Sequence, residues 1–232
     1  MQDAACFSFA KPKIIHYLCI GNWAKSLKVP KVPKVLKDPK VFNVKLKNKN
    51  IMEKLIRHSG NYRKLLSYQK TEVIFEMTYY FCHTYLQKGD RTIDQMVQAA
   101  RSGKQNIIEG CAASATSAKT EIKLVNVAKA SLQELLEDYI DYLRTHGHRQ
   151  WEENSVEWTA MRRLGKEHND AEFFMNLCQT RPPETIANMA IILINQADYL
   201  LFKQLERLEK DFITQGGFSE KMNRIRREQR GF

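Results

Sequence analysis

Apolar residues recur at helical spacing along the chain from Leu65 onward. The first such segment starts near Ser67, whose hydroxyl is suited to cap a helix N-terminus, and it runs up to Gly89. The pattern therefore predicts an amphipathic helix here. Its apolar face is formed by Val73, Ile74, Met77, Phe81 and Tyr85.

Two further helices are predicted after the short turn at residues 88–91. Asp90 can cap the second helix, and the small, polar residues 112–119 predict a loop with a new N-terminus near Thr116 or Ser117. The third helix then runs to the break at residues 146–148. The apolar positions of the second helix are Ile93, Met96, Val97, Ala100, Ile107, Ile108 and Cys111, with Lys104 in phase among them. Those of the third are Ile122, Val125, Leu132, Leu135, Leu136, Tyr139 and Leu143.

A long fourth helix is predicted from Pro182 and Pro183, because proline suits the first turn of a helix. Its apolar positions continue to Phe212, about 30 residues or roughly 45 Å, and Gly216 and Gly217 stop it. Residues 149–181 are mixed and charged, which indicates an insertion with short helices such as the one over residues 170–178.

These patterns together predict an all-α fold, since no strand alternation or hairpin signal competes with them. We expect an antiparallel up-down four-helix bundle over residues 52–213, with an insertion at about 147–182 before helix four. A short basic C-terminal extension is expected over residues 214–232.

The first 51 residues follow another pattern. They carry 11 lysines and two aspartates, a net charge of +9 out of +11, so residues 52–232 carry only +2. Three interpretations stay open: an extended cationic tail that attracts an anionic polymer, a disordered tail without a core, and a translated repeat upstream of a true start at Met52. The repeated lysines are Lys28, Lys31, Lys34, Lys37 and Lys40.

Several function classes receive no support from composition. No run of 18 apolar residues and no secretory signal pattern occurs, so we expect no membrane partner. The five cysteines are odd in number and lack C-x-x-C spacing, which favours reduced, buried thiols in a cytoplasmic protein.

The Gly103-Lys104 pair raises the question of a phosphate-binding loop. That motif needs a glycine five positions before the pair and a hydroxyl after it, and this chain has Gln98 and Gln105 there. The apolar helical phase also continues on both sides of Lys104. We therefore predict an unbroken helix at this point and no nucleotide site.

No catalytic or metal constellation emerges, so we expect no enzyme activity and no cofactor. Glu-x-x-His pairs of di-metal bundles are absent, and the acidic residues of helix three fit a solvated face better than acid–base catalysis. His146 and His148 flank a helix end, where a cation is favoured by the helix dipole. Those acidic residues are Glu134, Glu137, Asp138 and Asp141.

Lys104 lies within an apolar stripe, so it must reach the edge of the helix or meet a carboxylate such as Glu109. Arg101 shares its edge, and a basic rim that binds nucleic acid or an acidic partner can be built around the pair. Clustered cations matter more for phosphate contacts than net charge. The candidate contact residues are Arg101, Lys104, Lys123, Lys129, Arg224, Arg226, Arg227 and Arg230.

The stretch over residues 96–139 resembles the bacterial four-helix-bundle proteins first noticed as reading frames inside intervening sequences of 23S ribosomal RNA genes. Similarity extends to a subgroup with a four-helix-bundle suffix domain, and it excludes the repeat at residues 28–44. One departure is Ala100-Arg101-Ser102, where the family has Arg-Arg-Ala and thus one more cation. The matching motif residues are Gln98, Arg101, Asn106, Ile107, Glu109, Gly110, Glu121, Ala128, Ser131, Leu132, Glu134 and Leu135.

The resemblance implies a small homo-oligomer, with a pentamer favoured, and no catalytic site. A relative, the accessory protein of diversity-generating retroelements, binds reverse transcriptase and nucleic acid. We therefore expect a non-enzymatic, oligomeric bundle that binds RNA or DNA and a nucleic-acid enzyme. The alternative is a structural protein that docks another protein without binding nucleic acid.

Overall fold

A computed structural model describes residues 60–230, and this part of the chain is all-helical, with no strand. The predicted fold class is thus confirmed, while the lysine repeat and Met52 lie outside the described residues. A short 3-10 turn at Tyr62–Lys64 precedes the α-helices. These are α1 (Leu66–Tyr85), α2 (Arg91–Ala113), α3 (Ala118–Thr145), α4 (Val156–Glu167), α5 (Ala171–Cys178), α6 (Pro183–Gln215) and α7 (Phe218–Arg230).

Most helix ends lie where the capping residues predict them. Asp90 and Ser117 accept hydrogen bonds from backbone N–H groups in the first turns of α2 and α3. Ser155 and Asp170 do the same for α4 and α5. Each cap satisfies a donor that the helix itself cannot pair.

The start of α1 was predicted wrongly. Leu65 precedes the helix without a side-chain cap, and Ser67 lies inside the first turn, buried. Its hydroxyl instead donates to Gln204 Oε1 on α6 at 2.8 Å. A serine near a helix start can therefore serve tertiary packing, which its position in the sequence does not reveal.

α6 has the bounds that its proline and glycines predict. It begins at Pro183, whose missing N–H costs nothing in the first turn, and its 33 residues give a length of roughly 50 Å. Gly216 follows with a φ of +70°, a conformation that favours glycine and turns the chain into α7. The third helix likewise ends before the break at residues 146–148.

Contacts at two levels show that α1 and α2 run in opposite directions. α1 contacts α2 and α6, α2 contacts α3, and α3 contacts α6. Cys82 near the end of α1 meets Met96 near the start of α2, with 3.8 Å between their sulfurs. Nearer the middle of the same two helices, Lys104 meets Phe75.

α4 and α5 lie outside these four helices. α4 packs on α6, and α5 packs on α1. The predicted short helix in the region between α3 and α6 is therefore present, and a second one, α4, precedes it.

Gly103 shows why small residues are needed between α2 and α3. A Cβ at this position would lie 2.9 Å from Leu132 Cδ2 and 3.1 Å from its Cγ. Gly103 and Lys104 lie within an unbroken helix, as predicted from the apolar phase on both sides of them. The pair therefore has none of the loop geometry that a phosphate-binding motif needs.

The core is continuous across α1, α2, α3, α5 and α6, and α4 contributes the buried Met161 to it. An apolar window long enough to cross a membrane lies within Pro183–Arg227, and 61% of it is buried inside the molecule, which is also the property of a core helix. The largest fully buried side chains are Tyr139, Lys70, Phe81, Phe174, Ile74, Met77, Met96, Ile107, Leu132, Leu135, Leu143 and Ile186.

Candidate nucleic-acid interface

α7 carries the densest group of exposed cations among the predicted contact residues. Arg224, Arg226, Arg227 and Arg230 are all exposed on this 13-residue helix, and none forms an ion pair with a described residue. The apolar residues of α7, among them Met222, are half-buried. The helix thus presents free guanidinium groups to solvent.

The junction before α7 is held by local contacts. The Gly217 N–H donates to Glu220 Oε2 at 2.9 Å, which places a carboxylate at the start of the helix, where its dipole favours negative charge. A small depression beside this junction is lined by Phe218, by Phe212 at the end of α6 and by the turn between α2 and α3. The arginines therefore lie at the end of the molecule where that turn is found.

Arg101 and Lys104 lie one turn apart on α2, as predicted. Arg101 is exposed, whereas Lys104 is half-buried, with its Nζ 4.1 Å from the centroid of the Phe75 ring on α1. Of the two alternatives for Lys104, a position at the helix edge or a carboxylate partner, the structure shows no carboxylate partner among the described residues, and Glu109 is exposed. The aromatic face of Phe75 stabilises the ammonium instead.

Lys123 and Lys129 differ in whether their charge is available to contact a ligand. Lys123 is exposed on α3, but Lys129 is half-buried and forms an ion pair with Asp198 on α6. Gln133 Nε2 also donates to Asp198 Oδ1, at 3.0 Å. Because its charge is already matched within the chain, Lys129 is a contact between α3 and α6 more than a free cation for a ligand.

The motif residues behind the family resemblance have both structural and exposed positions. Asn106 Nδ2 donates to the Ser102 carbonyl and hydroxyl at 2.9 and 3.0 Å, and the Ser102 and Ser131 hydroxyls lie 2.9 Å apart. These hydrogen bonds join α2 to α3. Ile107 and Gly110 are buried. The remaining positions are Gln98, Glu109 and Glu134, which are exposed, and Glu121, which is half-buried.

The three cysteines among the described residues are buried thiols. Cys82, Cys111 and Cys178 are free and buried, in agreement with the prediction for these three. Burial raises the pKa of Cys82 and of Cys178 to about 12, so both stay protonated near neutral pH. Cys6 and Cys19 lie outside the described residues.

The acidic face of α3 is mostly solvated. Glu134, Glu137 and Asp141 are exposed, and Asp141 pairs with Arg144 at 2.8 Å. Burial, followed by the neighbouring Asp141 and Glu134, raises the pKa of the half-buried Asp138 carboxyl.

The two histidines at the end of α3 have partners within the chain. His146 Nδ1 lies 2.9 Å from the Tyr142 carbonyl, and His148 Nδ1 lies 3.6 Å from Glu184 Oε2. Within residues 60–230 no group of three or more histidine, cysteine or acidic side chains has metal-binding geometry.

Sequence reasoning missed a cleft between α4 and α6 that reaches the start of α1. Lys70 and the tryptophans at 151 and 158 line it. The sequence contains one signal that could have pointed to this region. Lys70 precedes the apolar positions Val73 and Ile74 by three and four residues, which places it on the buried face of α1.

The described geometry identifies no known relative. A scan against protein-family models, a search of curated proteins and a search of solved structures all found no match to the chain.

Proposed function

We propose that the protein is a non-enzymatic, oligomeric, antiparallel up-down four-helix bundle that binds nucleic acid through α7. The bundle consists of α1, α2, α3 and α6, with α4 and α5 as an insertion before the last helix. One observation carries the proposal: four arginines of α7 are exposed, and none pairs with an acidic side chain that the structure describes.

Free arginines in such density suit a polyanion better than a small acidic patch. Each guanidinium that contacts a phosphate releases a condensed counterion, so about four contacts give a log–log salt slope near −3 to −4. Arg101 and Lys123 are further exposed cations of the predicted set. Phosphate contacts of this kind give affinity with little sequence preference.

The test is a fluorescence-anisotropy titration of the full chain against labelled RNA and DNA oligonucleotides at several salt concentrations. The variant Arg226→Glu/Arg227→Glu should bind about tenfold or more weakly and show a shallower salt slope. The matched control is Lys88→Glu/Arg91→Glu, which makes the same charge change in the turn between α1 and α2. It should bind within about twofold of the wild type.

Binding that does not change with salt, or an equal loss in both double variants, would contradict the assignment to α7. The first outcome would show that phosphate contacts contribute little. The second would show that only overall charge matters.

A second candidate function, docking of another protein, is favoured by apolar side chains exposed on α6 and α1. Tyr199 and Phe202 lie one turn apart with 59% and 45% of their surfaces exposed, and Leu66 is 52% exposed. A reverse transcriptase is the partner that the family resemblance implies. Nuclease-resistant capture of such an enzyme, lost in Phe202→Glu, would favour this function over nucleic-acid binding.

The same proposal includes a homo-oligomer, with a pentamer favoured by the resemblance, in the cytoplasm. Exposed Tyr79 on α1 and Val127 on α3 are further apolar positions that a neighbouring copy can cover. Light scattering coupled to size-exclusion chromatography measures the assembly directly. A strictly monomeric mass at concentrations above about 100 μM would contradict this part of the proposal.

A further inference from the structure

A cleft of about 850 Å³ separates α4 from α6 and reaches the start of α1. Its size falls within the range of small-molecule sites, which is about 300 to 1,000 Å³. The α7 arginines are not among its lining residues. The cleft is therefore a site distinct from the proposed nucleic-acid interface.

Aromatic side chains form part of the walls. Trp151 and Trp158 are half-buried and Tyr199 is exposed, so all three retain surface toward the cleft. Flat aromatic groups offer stacking surfaces to a planar ligand with little loss of side-chain freedom. Ile191 and Leu200 add aliphatic surface beside them.

The charge of the lining is positive. Arg162 and Lys166 lie on consecutive turns of α4, both exposed and neither paired with an acidic residue among those described, and the buried Lys70 adds a third cationic group. Glu153 is the single acidic residue of the lining. Like charges four residues apart destabilise a helix by a few tenths of a kcal/mol, and an anion bound between them would reverse that effect.

Arg162 places a positive charge directly beside one of the aromatic side chains of the cleft. Its guanidinium carbon lies 4.8 Å from the centroid of the Trp158 ring, so a cation and an aromatic face are presented together. A ligand with an aromatic ring and an attached acidic group can contact both at once.

An unpaired acceptor also lines the cleft. Gln196 Nε2 donates to the Arg162 carbonyl at 2.8 Å, but Gln196 Oε1 is buried and has no donor. The side chains of Asn169 and Asn195 form no hydrogen bond with other described residues. Asn195 is exposed and Asn169 half-buried, so their amides are the polar groups of the lining that a ligand can reach, whereas Gln196 Oε1 has no accessible surface.

We propose that this cleft binds a planar aromatic anion, with the ring against the tryptophans and the acidic group at Arg162 and Lys166. Polar ring substituents then meet the amides of Asn169 and Asn195. This inference goes beyond nucleic-acid binding by α7 and does not depend on it.

The test uses two fluorescent probes on the full chain: 8-anilinonaphthalene-1-sulfonate, an aromatic anion, and its neutral counterpart N-phenyl-1-naphthylamine. The anion should bind saturably at one site per chain, and about tenfold more tightly than the neutral probe. Arg162→Glu should weaken binding of the anion about fivefold or more.

Arg163→Glu is the matched control, because Arg163 is exposed on the same helix but does not line the cleft. It should leave the affinity unchanged. If circular dichroism shows that Arg162→Glu perturbs the fold, Lys166→Glu applies the same charge reversal one turn away, and the same loss of affinity is expected.

Displacement of the bound probe by unlabelled compounds then distinguishes two classes of aromatic anion. Displacement of the probe by adenosine monophosphate supports a heteroaromatic phosphate, and displacement by 2-naphthoate supports an aromatic carboxylate. Equal affinity for the charged and neutral probes would overturn the proposal, as would equal binding by the Arg162 and Arg163 variants or uptake of many probe molecules per chain.

Discussion

Replacement of the buried Lys70 by methionine provides a quantitative test of the packing of α4 on the rest of the molecule. Lys70 is 1% exposed, and its Nζ donates to the carbonyls of Gly165 and His168 at 2.5 and 3.0 Å. These carbonyls belong to the last turn of α4 and to the residue that follows it, where a cation is favoured. Phe174 of α5 lies beneath the ammonium at 5.6 Å.

Two opposing effects determine how much Lys70→Met changes the free energy of unfolding near neutral pH. Loss of two charge-assisted hydrogen bonds costs about 1.5–3 kcal/mol each. Removal of a buried charge is favourable, because burial lowers the pKa of Lys70 from 10.5 to about 8, and this shift corresponds to roughly 3 kcal/mol. At pH 7 the net change in the free energy of unfolding should therefore be small, within about 3 kcal/mol of zero.

The pH dependence of the free energy of unfolding distinguishes the effect of the buried charge from that of the lost hydrogen bonds. Between pH 8 and pH 10.5 the unfolded chain holds the Lys70 proton and the folded chain does not, so wild-type stability rises with pH. From pH 7 to pH 9.5 the gain should be about 2 kcal/mol, and it should be absent in Lys70→Met. Burial raises the pKa of the Cys82 and Cys178 thiols, which gives the opposite slope, but both proteins share it.

The assay is urea unfolding followed by circular dichroism at intervals between pH 6.5 and 9.5. The quantity of interest is the wild-type minus variant difference in the free energy of unfolding. Lys88→Met serves as the control, since Lys88 is exposed and should show no pH-dependent difference. A Lys70→Met difference that stays constant within about 0.5 kcal/mol over this range would refute a lowered pKa for the buried amine.

Two further substitutions test the packing between the long helices. Gly103→Ala should lower the free energy of unfolding by about 1–2 kcal/mol, because overpacking outweighs the better helix propensity of alanine. Gly110→Ala, whose new Cβ would have only ordinary contacts of 3.5 Å or more, should be neutral or stabilising, and a reversed order in urea unfolding would contradict the close approach at Gly103. Tyr139→Phe removes the buried hydroxyl that donates to Thr78 Oγ1 at 3.1 Å and should cost about 1 kcal/mol. The exposed control Tyr79→Phe should unfold like the wild type, and equal effects in both tyrosine variants would rule out a contribution from the buried bond.

The sequence by itself determined the all-helical fold class and most of the helix ends. Apolar periodicity and caps such as Asp90 and Ser117 are local properties, because a helix pairs its backbone within a few residues. The same local signal was enough to place Gly103 and Lys104 inside α2. Lys70 is also in phase with Val73 and Ile74, but its burial was not predicted from the sequence.

Only the tertiary structure decided which partners the polar residues have. Lys70 meets the end of α4 about 95 residues away, Lys104 meets Phe75 and not Glu109, and Lys129 is paired with Asp198. Helical periodicity fixes the face on which a side chain lies, but the identity of its neighbour depends on how distant helices pack. The cleft between α4 and α6 exists only through that packing.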